Sequence, residues 1–158
     1  MKHIYHLFAV VITMLLFSGL VFPQSTYSQF GNLNKAWVNV SSTWTKLDTG
    51  THTFTKNSSS TTIEVYVNSR FIVGTIGVGA RGVRFQVRVD DNTPTFENEG
   101  SIQQSNTSEF LSILAVFQNL PAGSHTVSIW AQAPSGSATS VGVDPGGWGG
   151  KIIVKETM

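Results

Sequence analysis

Side chains that could perform chemistry are sparse in this chain. His125 follows Ser124, a pairing that a hydrolase could use, but no G-x-S-x-G motif occurs. His52 is the one other histidine beyond the hydrophobic N-terminal stretch, and two distant histidines fall short of the three or four ligands of a zinc site. The sequence therefore indicates a protein that is not an enzyme, in which His125 simply begins a strand.

The segment DDNTPTFENE clusters acidic and amide side chains. Asp90, Asp91 and Asn92 offer the oxygen ligands that calcium prefers. Their spacing does not match the EF-hand loop, so a solvated turn is favoured over a calcium site and no cofactor is expected.

The segment GVGARG, residues 77–82, has the glycine spacing of a dinucleotide-binding loop. That mechanism needs a helix directly after the glycines, because the helix N-terminus holds the pyrophosphate. The residues that follow, VRFQVRVDD, alternate in the manner of a strand instead. The segment is therefore interpreted as a glycine-rich hairpin.

The N-terminus has the order of regions found in secretory signals. The segment MKHIYH precedes sixteen apolar or small residues, 7–22, and a polar stretch follows. Sixteen residues are fewer than the roughly 20 that span a bilayer. We interpret residues 1–28 as a signal peptide cleaved after Ser28, and expect a secreted, cell-surface or periplasmic protein that is free of the membrane after cleavage.

The chain after this signal carries no net charge, because nine lysine and arginine residues balance nine acidic ones. It lacks the basic surface that binds nucleic acid or acidic membranes. It also contains no cysteine, so its stability must come from a core or from assembly rather than from disulfides. Its length suits one domain, which we place at residues 34–158 after a polar linker at 29–33.

Apolar and polar residues alternate along most of this domain, which is typical of antiparallel strands. The period is clear in TTIEVYVNSR, GVRFQVRVDD and GSHTVSIWAQ, and clusters of turn residues separate the candidate strands. Further candidate strands cover residues 36–40, 51–55, 71–78, 109–117, 141–143 and 151–155. The pattern predicts an all-β sandwich without helices. The predicted core includes Val65, Val67, Phe85, Val87, Val127 and Ile129.

The strand FLSILAVF, residues 110–117, is apolar on both faces apart from Ser112. In a two-layer sandwich its outer face needs a cover, which is either another segment of the chain or a neighbouring subunit. Alternation separates the two faces but does not decide which one meets a partner. The candidate residues of a subunit interface are Leu111, Ile113, Phe117, Phe110 and Leu114.

Three segments resemble the jelly-roll domains of the tumour-necrosis-factor and complement-globular-head superfamily, in particular their bacterial and viral relatives. A strand ending in Val89 and Asp90 precedes the apolar strand, residues 120–127 read LPAGSHTV, and the last strand ends at Glu156. The resemblance implies a two-sheet antiparallel jelly roll of ten strands over residues 34–156, commonly assembled as a homotrimer. It implies no catalytic residue.

Two functions remain open. The first is a secreted, non-catalytic interaction or surface-structural module that binds itself, as a homotrimer, or a surface protein. The second is a carbohydrate-binding, lectin-like module, in which exposed aromatic side chains stack on the rings of a glycan. Its candidate ligand-binding residues are Trp148, Trp130 and Tyr66. Trp148 lies between two pairs of glycines, where it either closes the end of the core or stacks on a ligand.

Overall fold

The computed structural model describes residues 27–31, 33, 37–144, 146–147 and 149–158. The expected signal peptide lies almost entirely outside these residues, and so does Trp148. The described part contains strands and no helix, so no helix in it is long and apolar enough to cross a membrane. The strands are β1 (Tyr27–Gly31), β2 (Val38–Val40), β3 (Thr45–Lys56), β4 (Thr62–Val73), β5 (Val83–Val89), β6 (Phe96–Asn98), β7 (Gly100–Ile102), β8 (Thr107–Phe117), β9 (Gly123–Gln132), β10 (Ala138–Val143) and β11 (Lys151–Thr157).

The strands form two antiparallel sheets, as the all-β sandwich prediction requires. In the seven-stranded sheet, β4 pairs with β8 along one edge, over eleven register positions. Its other edge pairs first with β11 and then with β10. β1, β2 and β6 continue this sheet beyond β11, β10 and β8 respectively. The four-stranded sheet has the order β3-β9-β5-β7.

The core lies between the two sheets and follows the period of two. All six predicted core residues are buried, none with more than 1% of its surface exposed, so the core prediction is confirmed. The rings of Phe71 on β4 and Phe85 on β5 lie 4.6 Å apart and connect the two sheets. Because strand side chains alternate between faces, each inward apolar residue brings an outward polar one, which keeps most of the outer surface wet.

Three segments differ from the expected strand boundaries. The strand expected at 71–78 is the end of β4, because Phe71 and Val73 continue its buried face. The polar linker expected at 29–33 overlaps β1, which pairs with β11 at five positions. The acidic segment contains β6 and is followed by β7, and these strands bring the number of described strands to eleven rather than ten. Both are edge strands of three residues.

Buried polar contacts fasten the C-terminal strand to the turn between β3 and β4. The carboxylate of Glu156 accepts hydrogen bonds from the backbone N–H groups of Asn57 and Ser58 and from the hydroxyl of Thr61. The ammonium of Lys56 donates to the backbone carbonyls of Ser58 and Leu120. Because a buried charge without partners is costly, these bonds fix the local backbone in a domain that has no disulfide.

Glu97 caps the edge of β5 where the pairing with β7 ends. Its carboxylate accepts a hydrogen bond from the N–H of Val87 at 2.8 Å. Burial raises the pKa of the Glu97 carboxyl above its ordinary value of 4.5, although the hydrogen bond from Val87 opposes that effect. The folded state therefore holds the Glu97 proton to a higher pH than the unfolded chain does.

Truncation of the contact between the sheets should destabilise the fold strongly. We expect Phe85→Ala to lower the free energy of unfolding by about 3–5 kcal/mol, because it leaves a cavity against Phe71. Phe96→Ala is the matched control, since Phe96 is 63% exposed, and it should cost less than about 1 kcal/mol. Urea unfolding followed by circular dichroism measures both. Equal losses in the two variants would contradict the described core.

Glu97→Gln should become more stable relative to the wild type as the pH rises. Glutamine keeps the acceptor for Val87 but does not ionise. The wild type loses stability as the pH rises from 4.5 through the raised pKa of Glu97, because ionisation is then less favourable in the folded state. Urea unfolding between about pH 4 and about pH 7 measures the difference. The control Glu109→Gln removes an exposed carboxylate on β8 that does not interact with Glu97, and it should show no such increase. A difference that stays constant with pH in Glu97→Gln would refute the assignment.

Candidate functional site

β8 buries one of its two apolar faces and presents the other to the outside. Ile113 and Phe117 are buried between the sheets, and Leu111 packs against that core. Ile113 and Phe117 are therefore covered by the second sheet, and Leu111 is partly buried on the same inward face. Phe110 and Leu114 lie on the opposite, outer face of the strand. The candidate interface is thereby reduced to this second set.

The outer face of the seven-stranded sheet carries a group of apolar side chains, interrupted by Ser112 and Asn68, which we call the outer apolar face. In its central row, Tyr66 of β4 lies between Ile153 of β11 and Leu114 of β8. Two phenylalanines project on either side of this row, Phe110 with 64% and Phe96 with 63% of its surface exposed. The face comprises Phe96, Phe110, Leu114 and Val116 together with Tyr66 and Ile153.

An open groove of about 430 Å³ lies in the middle of the outer apolar face. Tyr66, Leu114 and Ile153 supply its apolar lining, and the amides of Asn68 and Asn98 lie at its sides. The Tyr66 hydroxyl donates to the carboxylate of Glu64 at 2.9 Å, and this hydrogen bond raises the pKa of Tyr66. The side-chain oxygen of Asn98 accepts from the backbone N–H of Leu114. Two side chains that border the groove are thus held in place before anything binds.

Charged residues of both signs surround the outer apolar face. Lys151 and Lys155 lie on β11, and Lys155 is in register with Glu64 on β4. Glu109 is exposed near the start of β8. The face therefore has no strong preference for a partner of one charge sign.

The outer face of the four-stranded sheet has a different chemistry, in which cations stack on indole rings. The guanidinium carbon of Arg88 lies 4.2 Å from the ring centre of Trp130 and 5.5 Å from that of Trp44. Arg84 lies 6.0 Å from the Trp44 ring, and Lys46 lies 6.0 Å from that of Trp130. We call this arrangement the Arg–Trp stack. Its cations cover aromatic surface that would otherwise face water.

The three aromatic residues predicted to bind a glycan do not form one site. Trp130 belongs to the Arg–Trp stack on the four-stranded sheet, whereas Tyr66 lies on the outer face of the other sheet. These two surfaces point in opposite directions across the sandwich. Trp148 lies outside the described residues.

The acidic segment begins with a tight turn. Val89 pairs with Asn92 across a two-residue turn. The two turn residues, Asp90 and Asp91, have φ angles of 50° and 61°. Positive φ at both central residues defines a type I′ turn, which aspartate tolerates better than most residues. The Asp90 carboxylate accepts from the backbone N–H of Thr126, and Asp91 pairs with Lys46 at 2.6 Å. The turn interpretation therefore explains these residues without a calcium ion.

Hydrogen bonds from neighbouring side chains also lower the pKa of Asp91 in this turn. The hydrogen bond from Lys46 lowers the pKa of Asp91, and a hydrogen bond from Ser128 acts in the same direction. Asn92 is exposed beside them. Among the described residues, no group of three or more His, Cys, Asp or Glu side chains could hold a metal ion.

His125 is buried at the start of β9 with both ring nitrogens engaged. Nδ1 lies 2.6 Å from the Asp90 carboxylate, and Nε2 lies 2.9 Å from the carbonyl oxygen of Pro121. The ring also packs against Phe54, with 5.6 Å between ring centres. A general base needs a nitrogen that reaches the substrate. In this geometry neither nitrogen of His125 is available for that role.

The glycine-rich segment at 77–82 is a loop followed directly by β5. The hairpin interpretation is wrong, because β4 and β5 lie in different sheets and do not pair. Gly82 has a φ of 106°, and a Cβ at this position would lie 2.6 Å from the carbonyl oxygen of Ile102. This glycine is therefore required by a close approach to β7 rather than by a phosphate. Val78 is fully exposed at the tip of the loop.

Two features of these surfaces were missed by the sequence reasoning. Phe96 was read as part of an acidic turn, because nothing in its polar neighbourhood indicated that β6 would pair with β8. The Arg–Trp stack was missed because its members come from three different strands. The alternation that put Arg84, Arg88 and Trp130 on outward faces was the available signal.

Comparisons with known proteins leave the family of this chain open. No protein-family model matches it, and no curated protein matches its sequence. Similar solved structures include a Bacillus endospore appendage, from a family of disulfide-linked pili. It is 12% identical, with a TM-score of 0.37, over 85% of this chain and 91% of that chain.

The VP2 subviral particle of infectious bursal disease virus is also similar. It is 11% identical, with a TM-score of 0.39, over 87% of this chain and 38% of that chain. The structure of the Gx strain of the same virus gives 11% identity and a TM-score of 0.37, over 85% of this chain and 38% of that chain. Scores this low decide neither family nor function. Membership in the tumour-necrosis-factor and complement superfamily stays a prediction.

Proposed function

We propose that this protein is an exported, non-catalytic module that associates with copies of itself through the outer apolar face. The observation that carries the proposal is the exposure of Phe96 and Phe110 on the same sheet face as Leu114. Exposed apolar patches larger than roughly a few hundred Å² are uncommon on monomeric proteins, and such patches mark interaction sites. Export is inferred from the sequence of the N-terminal segment.

The size of this face suits a specific interface. At about 4.8 Å between strands and about 3.3 Å per residue, the whole outer side of β4, β8, β11 and β6 covers roughly 500 Å², and the outer apolar face is part of this area. Side-chain relief increases this area towards the roughly 600 Å² per partner of the smaller stable interfaces. Each apolar side chain that becomes fully buried contributes on the order of 1.5–3 kcal/mol, so a few of them are enough to favour association.

The homotrimer is the specific form of assembly that we propose. Its support is the resemblance of the sequence to the tumour-necrosis-factor and complement superfamily, together with the outer apolar face of the described residues. A closed cyclic assembly satisfies every copy of that face at once, as soluble homo-oligomers usually do. The absence of cysteine leaves such a contact as a source of stability for an exported domain.

Glycan binding is the weaker alternative on this geometry. Arg88 already stacks on the ring of Trp130, which is the surface that a sugar would use. Tyr66 is exposed, but its cross-strand neighbours Leu114 and Ile153 are aliphatic, so the amides of Asn68 and Asn98 are left as the groups that could hydrogen-bond a sugar. The same surroundings suit an apolar partner.

A charge in the centre of the outer apolar face should prevent association. We expect the wild type to have three times the subunit mass in light scattering at micromolar concentration. Leu114→Asp should be monomeric, because association would bury an unpaired carboxylate. Val78→Asp is the matched control, since it adds the same charge at a fully exposed valine away from this face. A monomeric wild type would refute self-association, and a stable dimer would refute only the trimer.

His125→Ala should affect stability and not activity. We expect a loss of about 2 kcal/mol in the free energy of unfolding, because Asp90 and the Pro121 carbonyl lose their partner. His52→Ala is the comparison for this loss of stability, because His52 is a second buried histidine and has no carboxylate partner. Assays with ester, peptide and glycoside substrates should detect no turnover in any of the three proteins. Reproducible turnover in the wild type that His125→Ala abolishes would contradict the non-catalytic proposal.

A further inference from the structure

Phe110 is an aromatic side chain that projects from the long pairing of β4 with β8. It lies on β8, which is paired with β4 at eleven successive positions, and its register partner is Arg70. With 64% of its surface exposed, its ring does not fill the groove of its own subunit. A rigidly mounted aromatic ring loses little conformational entropy on binding, which favours it as an interface anchor.

The groove on the same face has the chemistry of a site for an aromatic ring. Its volume is about 430 Å³, with Leu114 and Ile153 as aliphatic walls and Tyr66 as an aromatic one. The edge of an aromatic ring carries a partial positive charge, which suits contact with the face of another ring. The polar groups at its sides, Asn68 and Asn98, remain able to contact water at the margin.

We propose that Phe110 of one subunit inserts into the groove between Tyr66 and Leu114 of another copy of this chain. The proposal rests on the self-association argued above and adds the residue that anchors it and the site that receives it. Phe110 is then the specificity-determining residue of the contact. Ser112 lines the groove, so a large side chain placed at this position would fill the site.

A second copy is the occupant that the surface favours. Phe110 and the groove lie on the same face of the sheet, so each copy carries both halves of the contact. The charges around the face have both signs, with Lys151 and Lys155 on β11 and Glu109 on β8. A copy of the same surface can match such a pattern, whereas a strongly acidic or basic partner would meet like charges.

Phe110 is a better anchor than Phe96, although the two are equally exposed. Phe96 belongs to β6, a strand of three residues at the edge of the sheet. Phe110 lies on the same strand as Ser112 and Leu114, which line the groove. Because the two halves of the contact share one strand, their relative position is fixed within each copy.

The first test compares the association constants of Phe110→Ala and Phe96→Ala by analytical ultracentrifugation. We expect Phe110→Ala to weaken association at least about tenfold and Phe96→Ala to weaken it less, since hot-spot contacts are few and central. Both positions are exposed, so thermal unfolding should show that both variants stay folded. A Phe110→Ala variant that associates as tightly as the wild type would overturn the inference, while self-association itself would stand.

The second test closes the groove with Ser112→Trp. We expect this variant to be monomeric, whereas Ser101→Trp, at an exposed serine on the four-stranded sheet, should associate like the wild type. Mixing Ser112→Trp with Phe110→Ala should restore a one-to-one complex. The Ser112→Trp variant keeps the Phe110 side chain, and the Phe110→Ala variant keeps the open groove. A mixture that stays monomeric where the wild type associates would overturn the inference. A wild type that is itself monomeric would overturn both this inference and the proposed function.

Discussion

The pairing of β4 with β8 is the contact on which the rest of the structure depends. Eleven register positions align the two longest strands of the seven-stranded sheet and fix which side of β8 faces inward. A two-layer sandwich can cover only one face of each sheet, so a strand that is apolar on both faces must leave one of them outside. The outer apolar face is the direct result of this geometric limit.

Sequence patterns predicted the core because the core depends on a local period. Val65, Phe85 and Ile129 could be placed from alternation within their own strands, and that placement is confirmed. The same reasoning could not choose between the faces of Leu111 and Phe110, since both are apolar. That choice depends on how β8 sits between β4 and β6, which is a non-local contact.

Edge strands and composite surfaces were beyond such patterns for a related reason. β6 and β7 have three residues each, too few to show an alternating pattern, and they are defined by their backbone pairing with β8 and β5. The Arg–Trp stack joins Trp44, Arg88 and Trp130, which are far apart in sequence. Turn chemistry was more accessible, because two consecutive aspartates already favour the positive φ angles of a tight hairpin.

The Arg–Trp stack has a consequence for how many contacts each molecule can make. The Arg88 guanidinium covers part of the Trp44 and Trp130 rings, so the described outer face of the four-stranded sheet presents charged groups to water. In the proposed association each molecule contacts its neighbours through the outer apolar face and leaves the Arg–Trp stack in water. Molecules with a single self-associating surface form small closed assemblies with hydrated exteriors, whereas molecules with two such surfaces can grow into open-ended fibres. In the proposed assembly the Arg–Trp stack thus limits the number of contacts that each molecule makes.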